Sequence, residues 1–260
     1  MKATDYIAKQ PDESGFIFYD EAENQTWHGL YQDQMAVIKN RACDQFVTGL
    51  EKLNMPQDRV PQLGEICAVL NRETGWAVQH VTALIAHDKF FNLLANRKFP
   101  AANFIRRQEH YHYIKEPDIF HEYFGHCPML IEPTFAKFTE EYGKMALQAE
   151  PKEQIMFLRL YWFTVEFGLI QTKNGLRIYG GGILSSPEET RYALESKVAI
   201  RKPFEPLEIM RTPYRIDIKQ PIYFVIDSYQ QLYDLVTQDL FSVIHKARQL
   251  GEYEPAFSRD

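Results

Sequence analysis

Apolar residues recur at every third or fourth position along much of this chain, which is the spacing of a helix with one buried face. The first such stretch predicts a helix over residues 32–53, ended by Asn54 and Pro56. Residues 1–28 are polar and mixed, so we expect an irregular lead-in there. Further helices are predicted over 63–72, 82–95, from about 117, from 133, and over 152–169, 187–196 and 229–250.

Strand patterns are few and short. The run L-R-I-Y-G-G-G-I at 176–183 predicts a strand that enters a glycine turn, and I-Y-F-V-I at 222–226 predicts a second strand. Ser186 and Glu189 have the spacing of a capping box at the start of a helix. The balance predicts a mainly α fold with a small β element, in which residues 29–260 form a single domain.

Composition places the chain among ordinary globular proteins, with 45% hydrophobic and 25% charged residues. The net charge is −6 and no basic patch stands out, which argues against nucleic acid as a partner. The three cysteines, Cys43, Cys67 and Cys127, are far apart and odd in number, as expected in a reducing cytosol. The N-terminus lacks a signal-peptide core, and no apolar run approaches the ~20 residues of a membrane span. We therefore expect a cytoplasmic protein without membrane contact.

Candidate metal chemistry begins with the stretch E-P-D-I-F-H-E-Y-F-G-H-C-P-M at 116–129, which holds His121 and His126. Histidines four apart lie on one face of a helix, whereas a step of five turns the second ring by about 140°. Gly125 could remove this divergence of the two rings, because it can leave helical geometry without strain and let His126 swing back towards His121. The spacing therefore favours a site at a helix end over a helical zinc motif.

Glu166 lies in the apolar run I-M-F-L-R-L-Y-W-F-T-V-E-F-G-L-I, where an unpaired buried carboxylate would be costly. A metal ion would satisfy this carboxylate, and so would an arginine. Two imidazoles and one carboxylate with open positions are the ligand set of non-haem Fe(II) oxygenases. A core role for His121, a zinc hydrolase and a structural metal site are the alternatives to an iron site. The pair His110 and His112 is a weaker second candidate.

Three long motifs of the chain resemble those of the pterin-dependent aromatic amino acid hydroxylases: E-P-D-I-F-H-E-Y-F-G-H-C-P, Y-W-F-T-V-E-F-G-L and Y-G-G-G-I-L-S-S. They occur in the order of that family, and the resemblance covers about residues 60–230. Within the family, the chain is most similar to the bacterial phenylalanine 4-hydroxylases. The resemblance implies a helical, basket-like catalytic domain that uses Fe(II), tetrahydrobiopterin and O₂ to convert L-phenylalanine to L-tyrosine. The iron ligands that it implies are His121, His126 and Glu166.

The same resemblance implies the contacts to substrate and pterin. Arg106, or its neighbour Arg107, is expected to pair with the substrate carboxylate through a bidentate contact. Ser185 is expected to hold the polar end of the amino acid. Trp162 is expected to line the pocket for the substrate ring, although core packing is an equally good use for it. The implied pterin contacts are Phe90 as a stacking face, Glu122 through water, Ile85 and His87.

The chain departs from the animal members of the family at several points. Residues 83–87 read A-L-I-A-H where those members have a Gly-Leu-Leu-Ser-Ser stretch, and Ile114 replaces a threonine that touches substrate. Trp162 argues against a tryptophan hydroxylase. Ile216 falls where tyrosine hydroxylases carry an aspartate, although Asp217 is adjacent. No regulatory domain and no tetramerising helix are expected, so we predict a monomer or a homodimer.

Overall fold

A computed structural model of the chain describes residues 6–82, 85–112 and 114–258. Helices dominate this part of the chain and the strands are short, which confirms a mainly α fold with a small β element. Two segments, His121–His126 and Trp162–Glu166, have the wider π-helical turn. The α-helices are α1 (Glu21–Ile38), α2 (Asp44–Leu53), α3 (Leu63–Thr74), α4 (His87–Ala95), α5 (Pro133–Ala146), α6 (Pro151–Tyr161), α7 (Gly181–Leu184), α8 (Pro187–Glu195), α9 (Pro206–Arg211), α10 (Tyr229–Thr237) and α11 (Leu240–Leu250).

The strands of the described residues form two sheets. They are β1 (Ala77–His80), β2 (Lys98–Ala101), β3 (Leu169–Thr172), β4 (Gly175–Ile178), β5 (Ile200–Pro203) and β6 (Ile222–Ile226). Strands β1 and β2 are a parallel pair, and the larger sheet has the order β4-β3-β6-β5. Within it, β3 is antiparallel to β4 and parallel to β6. The two predicted strands are β4 and β6. Strands β1, β3 and β5, of four residues each, were not predicted, and β2 lies in the stretch 96–115, which is rich in rings and charges and was expected to be loop and short strand.

The prediction of one helix over 32–53 after an irregular lead-in was wrong. Helix α1 begins at Glu21, where Asp20 accepts a hydrogen bond from the backbone N–H of Glu23 in a capping box. The boundary predicted between residues 28 and 29 therefore falls inside α1. The helix ends at Ile38 because the following residues pair with β4, where the N–H of Cys43 donates to the carbonyl of Ile178 over 2.8 Å. Helix α2 starts only after this contact.

Three other predicted helices also differ from the structure. The stretch 152–169 becomes α6, then the second π-helical segment, then β3. The stretch 229–250 splits into α10 and α11, because Asp239 breaks the run and caps α11 by accepting from the N–H of Ser242 over 3.1 Å. The predicted helix over 82–95 begins at His87, since residue 86 is already extended.

Aromatic side chains fill the core between these helices. On α5, Phe135, Phe138 and Tyr142 are buried, and the ring of Tyr142 meets that of Phe157 on α6 edge to face at 5.3 Å. The rings of Phe120 and Phe124 stack at 4.9 Å beneath the first π-helical segment. The metal-site segments therefore rest on rigid packing. None of the described helices has both the length and the apolar character needed to cross a membrane.

Candidate metal and substrate site

The first π-helical segment, His121–His126, solves the spacing problem of the histidine pair. The N–H of Cys127 donates to the carbonyl of Glu122 over 3.3 Å, which is the hydrogen bond from residue i+5 to residue i of a π turn. Five residues then make roughly one turn, so both rings point the same way. Their Nε2 atoms lie 3.0 Å apart. The helix ends at His126, one residue after Gly125, as predicted, but the two rings meet because the turn widens and not because Gly125 leaves helical geometry.

Glu166 reaches this pair from the end of the second π-helical segment, Trp162–Glu166. The N–H of Phe167 donates to the carbonyl of Trp162 over 2.9 Å, and this acceptor is again the residue five positions earlier, as in a π turn. The Oε2 atom of Glu166 lies 3.2 Å from Nε2 of His126 and 3.6 Å from Nε2 of His121. One ligand atom from each of the three side chains lies within 4.8 Å of the others. The fold thus brings the predicted triad together.

The glycine run after β4 lets backbone pack directly against the triad. A Cβ atom on Gly181 would lie 2.4 Å from Nδ1 of His126, and one on Gly182 would lie 2.9 Å from Oε2 of Glu166. Gly125 is needed for the same reason, since its Cβ would lie 2.6 Å from the carbonyl oxygen of Gly181. Gly125 therefore serves close approach and not, as predicted, release from helical geometry.

The protonation states of the triad suit a cation. Burial lowers the pKa of His121 to about 4, so this imidazole is neutral near pH 7. Burial alone would raise the pKa of Glu166, but the electrostatic attraction of the His126 and His121 rings and a hydrogen bond from His126 outweigh it and hold the pKa below its ordinary value. A neutral imidazole and a carboxylate that keeps its charge are the forms that ligate metals.

Ser185 and Asp118 fix the orientation of His121. The Nδ1 atom of His121 lies 2.9 Å from Oγ of Ser185, and the backbone N–H of His121 donates to Oδ1 of Asp118 over 3.1 Å. A metal-ligating histidine usually engages its second ring nitrogen in this way, which sets the ring tautomer. Ser185 was predicted to hold the amino acid substrate, and here it also contacts the imidazole.

Asp118 is the functional residue that the sequence did not reveal. Its side chain is fully buried and pairs with Arg106, from which it accepts hydrogen bonds of 2.8 Å from Nε and 2.9 Å from Nη2. Burial opposes ionisation, but the Arg106 guanidinium holds the pKa of Asp118 below its usual range. No spacing rule links Asp118 to an arginine twelve residues before it in the sequence. The adjacent Arg107 is exposed and pairs with Glu109 at 3.5 Å.

Trp162 lies at the opposite end of the second π-helical segment from Glu166 and is half-buried. Its ring stacks on Tyr214 at 5.0 Å with an interplanar angle of 27°, and lies 4.5 Å from the ring of Phe167. Its indole N–H donates to Oε1 of Gln220 over 3.1 Å. Both uses predicted for Trp162, core packing and a place in the wall of a pocket, fit a half-buried side chain.

Three of the four predicted pterin contacts, Phe90, Ile85 and His87, lie at or near the start of α4, and the fourth, Glu122, lies in the first π-helical segment. Phe90 is half-buried and its ring meets that of Tyr161 edge to face at 5.1 Å. Burial raises the pKa of the Tyr161 hydroxyl well above its ordinary value, and the charges of Glu166 and Glu122 raise it further. Tyr161 therefore links the Phe90 surface to both carboxyl groups. Burial and the charge of Glu166 also raise the pKa of Glu122 well above its ordinary value.

The remaining candidates are less central. Ile85 is half-buried just before α4, and His87 is exposed at the first position of that helix. Residues 83–84 of the departing stretch lie outside the described residues. His110 bonds through Nδ1 to the hydroxyl of Tyr6, so the histidine pair at 110 and 112 joins no cluster of three metal-ligating groups in the described part of the chain. The side chain of Ile114 packs against the small cluster around Tyr6, and Ile216 is exposed.

Comparison with known proteins identifies relatives along the whole chain. Residues 2–256 match a family model described as biopterin-dependent aromatic amino acid hydroxylase. The chain is 52% identical over 257 residues to a phenylalanine-4-hydroxylase of Pseudomonas aeruginosa, an alignment that covers 99% of this chain and 98% of that protein. It resembles the structure of phenylalanine hydroxylase from Legionella pneumophila at 48% identity and a TM-score of 0.95, covering 97% of this chain and 100% of that one. It also resembles Chromobacterium violaceum phenylalanine hydroxylase with bound oxidised Fe(III), at 42% identity and a TM-score of 0.89, covering 96% of this chain and 94% of that one.

Proposed function

Since the chain belongs to the biopterin-dependent aromatic amino acid hydroxylases, we propose that it is a phenylalanine 4-monooxygenase that forms L-tyrosine from L-phenylalanine, O₂ and a tetrahydropterin. The convergence of two imidazoles and one carboxylate is the observation that carries this proposal. It agrees with the fold, which matches a bacterial phenylalanine hydroxylase along almost the whole chain. We infer that iron is held by His121, His126 and Glu166.

The donor set fits Fe(II) better than structural zinc. Zinc in structural sites is usually enclosed by four protein ligands, often thiolates, and Cys127, the cysteine next to His126, is kept protonated because burial raises its pKa. Two nitrogens and one carboxylate leave coordination positions open for small molecules. When bound there, iron supplies the activation of O₂. The protein contributes fixed ligands, a neutral His121 imidazole and a charged carboxylate.

Arg106 remains able to bind the substrate carboxylate although it is already paired. The guanidinium has five N–H donors. Asp118 takes donors on Nε and Nη2, and the carbonyl of Tyr111 accepts from Nη1 at 3.4 Å. Donors remain on both terminal nitrogens, and Asp118 holds the plane of the guanidinium in one orientation. The substrate ring would then extend towards Trp162, and the hydroxyl of Ser185 would lie near its polar end.

The pterin is proposed to lie on the Phe90 side of the metal. The half-buried Phe90 ring offers a flat face, with Ile85 and His87 beside it at the start of α4. Burial raises the pKa of Glu122, which favours the protonated carboxyl, the form that can donate a hydrogen bond to the pterin or to a water. The hydroxyl of Tyr161 is buried and finds no hydrogen-bond partner among the described residues, which leaves a second donor on this side.

Anaerobic Fe(II) loading, followed by O₂, a tetrahydropterin and phenylalanine, tests the proposal directly. We expect tyrosine to form, and faster than the hydroxylated products of tyrosine or tryptophan offered side by side. Glu166→Gln keeps the shape of the side chain and removes its charge, so iron content and tyrosine formation should both be lost. Full activity of that variant would refute the triad. Activity with zinc and without pterin or O₂ would instead identify a hydrolase.

Assembly and location are further parts of the proposal. Three cysteines without a disulfide are consistent with a reducing cytoplasm. We propose a monomer or a homodimer, with residues 29–260 acting as one catalytic unit together with the part of α1 that precedes them. Sedimentation velocity across a hundredfold range of protein concentration would distinguish the two assembly states, because only a dimer dissociates on dilution.

A further inference from the structure

The segment 251–258, which we call the strap, returns from α11 across the end of α9. Gly251 makes the turn with φ of +71°, a conformation that favours glycine. Most strap residues are exposed, and Tyr253 keeps 40% of its surface accessible. The strap therefore adds little to the core, and a few specific contacts hold it in place.

Three arginines make those contacts. Arg211 donates from Nε to the carbonyl of Gly251 over 2.8 Å, and its guanidinium lies 4.0 Å from the ring centre of Tyr253. Arg215 donates from Nη1 to the carbonyl of Ser258 over 3.2 Å. The third contact is an ion pair between Arg159, which is buried on α6, and the carboxylate of Glu252.

The same arginines border the loop 212–220 that packs on Trp162. Arg159 lies one helical turn before Trp162, and its Nη1 donates to the carbonyl of Met210 over 2.6 Å, directly before this loop. Inside the loop, Tyr214 stacks on Trp162. The loop is thus held at Arg211 and Arg215, on either side of Tyr214.

Gln220 closes the loop at its other end. Its Oε1 accepts from the indole of Trp162, and its Nε2 donates to the carbonyls of Arg215 and Ile218 over 2.8 and 3.0 Å. This side chain is fully buried with both ends of its amide engaged. Movement of Arg215 would therefore reach Trp162 by two routes, the Tyr214 ring and the Gln220 amide.

We propose that Arg159 and the strap are positioning elements of the substrate pocket: they hold Tyr214 and Gln220 against Trp162 and so set the affinity for the aromatic amino acid without touching it. The inference rests on the proposed function, in which Trp162 lines the pocket for the substrate ring. It assigns a role in substrate affinity to residues 251–258, which lie outside the metal site.

The test is a double substitution on the exposed side of the contacts, Glu252→Ala with Tyr253→Ala, which leaves the core intact. We expect KM for phenylalanine to rise about tenfold, with kcat and KM for the tetrahydropterin within about twofold. The matched control is Glu73→Ala, which removes a carboxylate paired with Lys52 at 2.7 Å far from the loop and should leave all three constants unchanged. An unchanged KM for phenylalanine together with a lower Tm would overturn the proposal.

A second readout needs neither iron nor turnover. Trp27 and Trp76 are fully buried, whereas Trp162 is half-exposed, so loosening the Tyr214 stack should shift tryptophan emission to longer wavelength in the metal-free protein. The shift should vanish when Trp162→Phe is added to the strap variant. A shift that persists in that background, or no shift at all, contradicts the proposed route.

Epistasis with Tyr214 checks the mechanism. In a Tyr214→Leu background the strap substitutions should raise KM for phenylalanine less than in the wild type, because the larger of the two routes is already cut. An undiminished rise would refute transmission through Tyr214. If the wild-type protein forms no tyrosine, the proposed function fails, whereas the emission experiment still decides whether the strap positions Trp162.

Discussion

Replacing Gly181 by alanine should damage the metal site through one methyl group. The added Cβ would lie 2.4 Å from Nδ1 of His126, whereas ordinary contacts begin at 3.4 Å. The ring must therefore retreat by about 1 Å, because the methyl group is fixed to backbone. Metal-ligand distances tolerate about 0.2 Å, so the displaced imidazole can no longer share the metal with His121 and Glu166 at ideal length.

The size of the effect follows from metal affinity. Losing a residue that merely supports a ligand weakens metal binding about 10- to 100-fold, and displacing the ligand itself should reach the upper end of that range. At a metal concentration of about 100 times the wild-type Kd, binding stabilises the wild type by about 2.7 kcal/mol. A hundredfold weaker Gly181→Ala variant would gain only about 0.4 kcal/mol. At roughly 2–4 °C per kcal/mol, the metal-dependent rise in Tm falls from about 5–11 °C to about 1–2 °C.

The assay is thermal unfolding with and without Fe(II) under anaerobic conditions, supported by titration with Co(II) followed by absorbance. Gly64→Ala is the matched control, because a Cβ at Gly64 meets nothing within 4 Å and the residue lies in the first turn of α3. That variant should be more stable by up to about 1 kcal/mol and respond to metal like the wild type. If Gly181→Ala shows the wild-type metal response, the packing of the glycine run against His126 is not what aligns the ligand.

Three further substitutions test other parts of the site. Asp118→Asn leaves the buried Arg106 without a counter-charge and should lower the free energy of unfolding by about 3 kcal/mol in urea titrations; a loss near zero would mean that the pair is not buried in solution. Burial lowers the pKa of His80 to about 4 from 6.5, so the unfolded state binds its proton first and stability declines as pH falls from 6.5 to 4. His80→Gln, which keeps a partner for the Tyr123 hydroxyl, should flatten urea stability against pH in that window by up to about 1.4 kcal/mol per unit, and an unchanged slope would contradict this. Phe90→Leu should raise KM for the tetrahydropterin about 2- to 10-fold, and a change in KM for phenylalanine instead would move Phe90 to the substrate side.

The three residues that converge at the candidate metal site could be predicted from the sequence, but not the reason that they meet. The chemistry of the residues alone identified Glu166 as a candidate, because a carboxylate in an apolar run must have a partner. The histidine spacing looked wrong for a helix, since sequence rules assume the ordinary α turn, and π turns are too rare to be expected in advance. The role of Gly125 was misjudged for the same reason. The contact between Gly181 and His126 forms only in the folded chain, so no local sequence pattern predicts it.

Partners that are distant in sequence were beyond prediction for a similar reason. Arg106 was identified as a substrate contact, yet its pairing with Asp118 depends on how the loop before the first π-helical segment folds back. The capping box at Ser186 is only half formed. Ser186 accepts from the N–H of Glu189 as predicted, but the Glu189 carboxylate turns inward, where Gln220 donates to it from its backbone N–H over 3.1 Å. The tertiary hydrogen bond to the Glu189 carboxylate therefore replaces the local one that a complete capping box would form.

The hairpin of β3 and β4 explains how the glycine run finds the triad. Glu166 is followed by β3, a two-residue turn and β4, with Thr172 paired to Gly175. The carbonyl of Gly168 then accepts from the N–H of Gly180 over 3.0 Å, which returns the chain to the level of Glu166. A slip of one residue in this pairing would turn every side chain to the other face and move Gly181 away from His126. The metal site is therefore specified by strand register as much as by its ligands, which is why a fold with few strands keeps this hairpin directly beside the metal ligands.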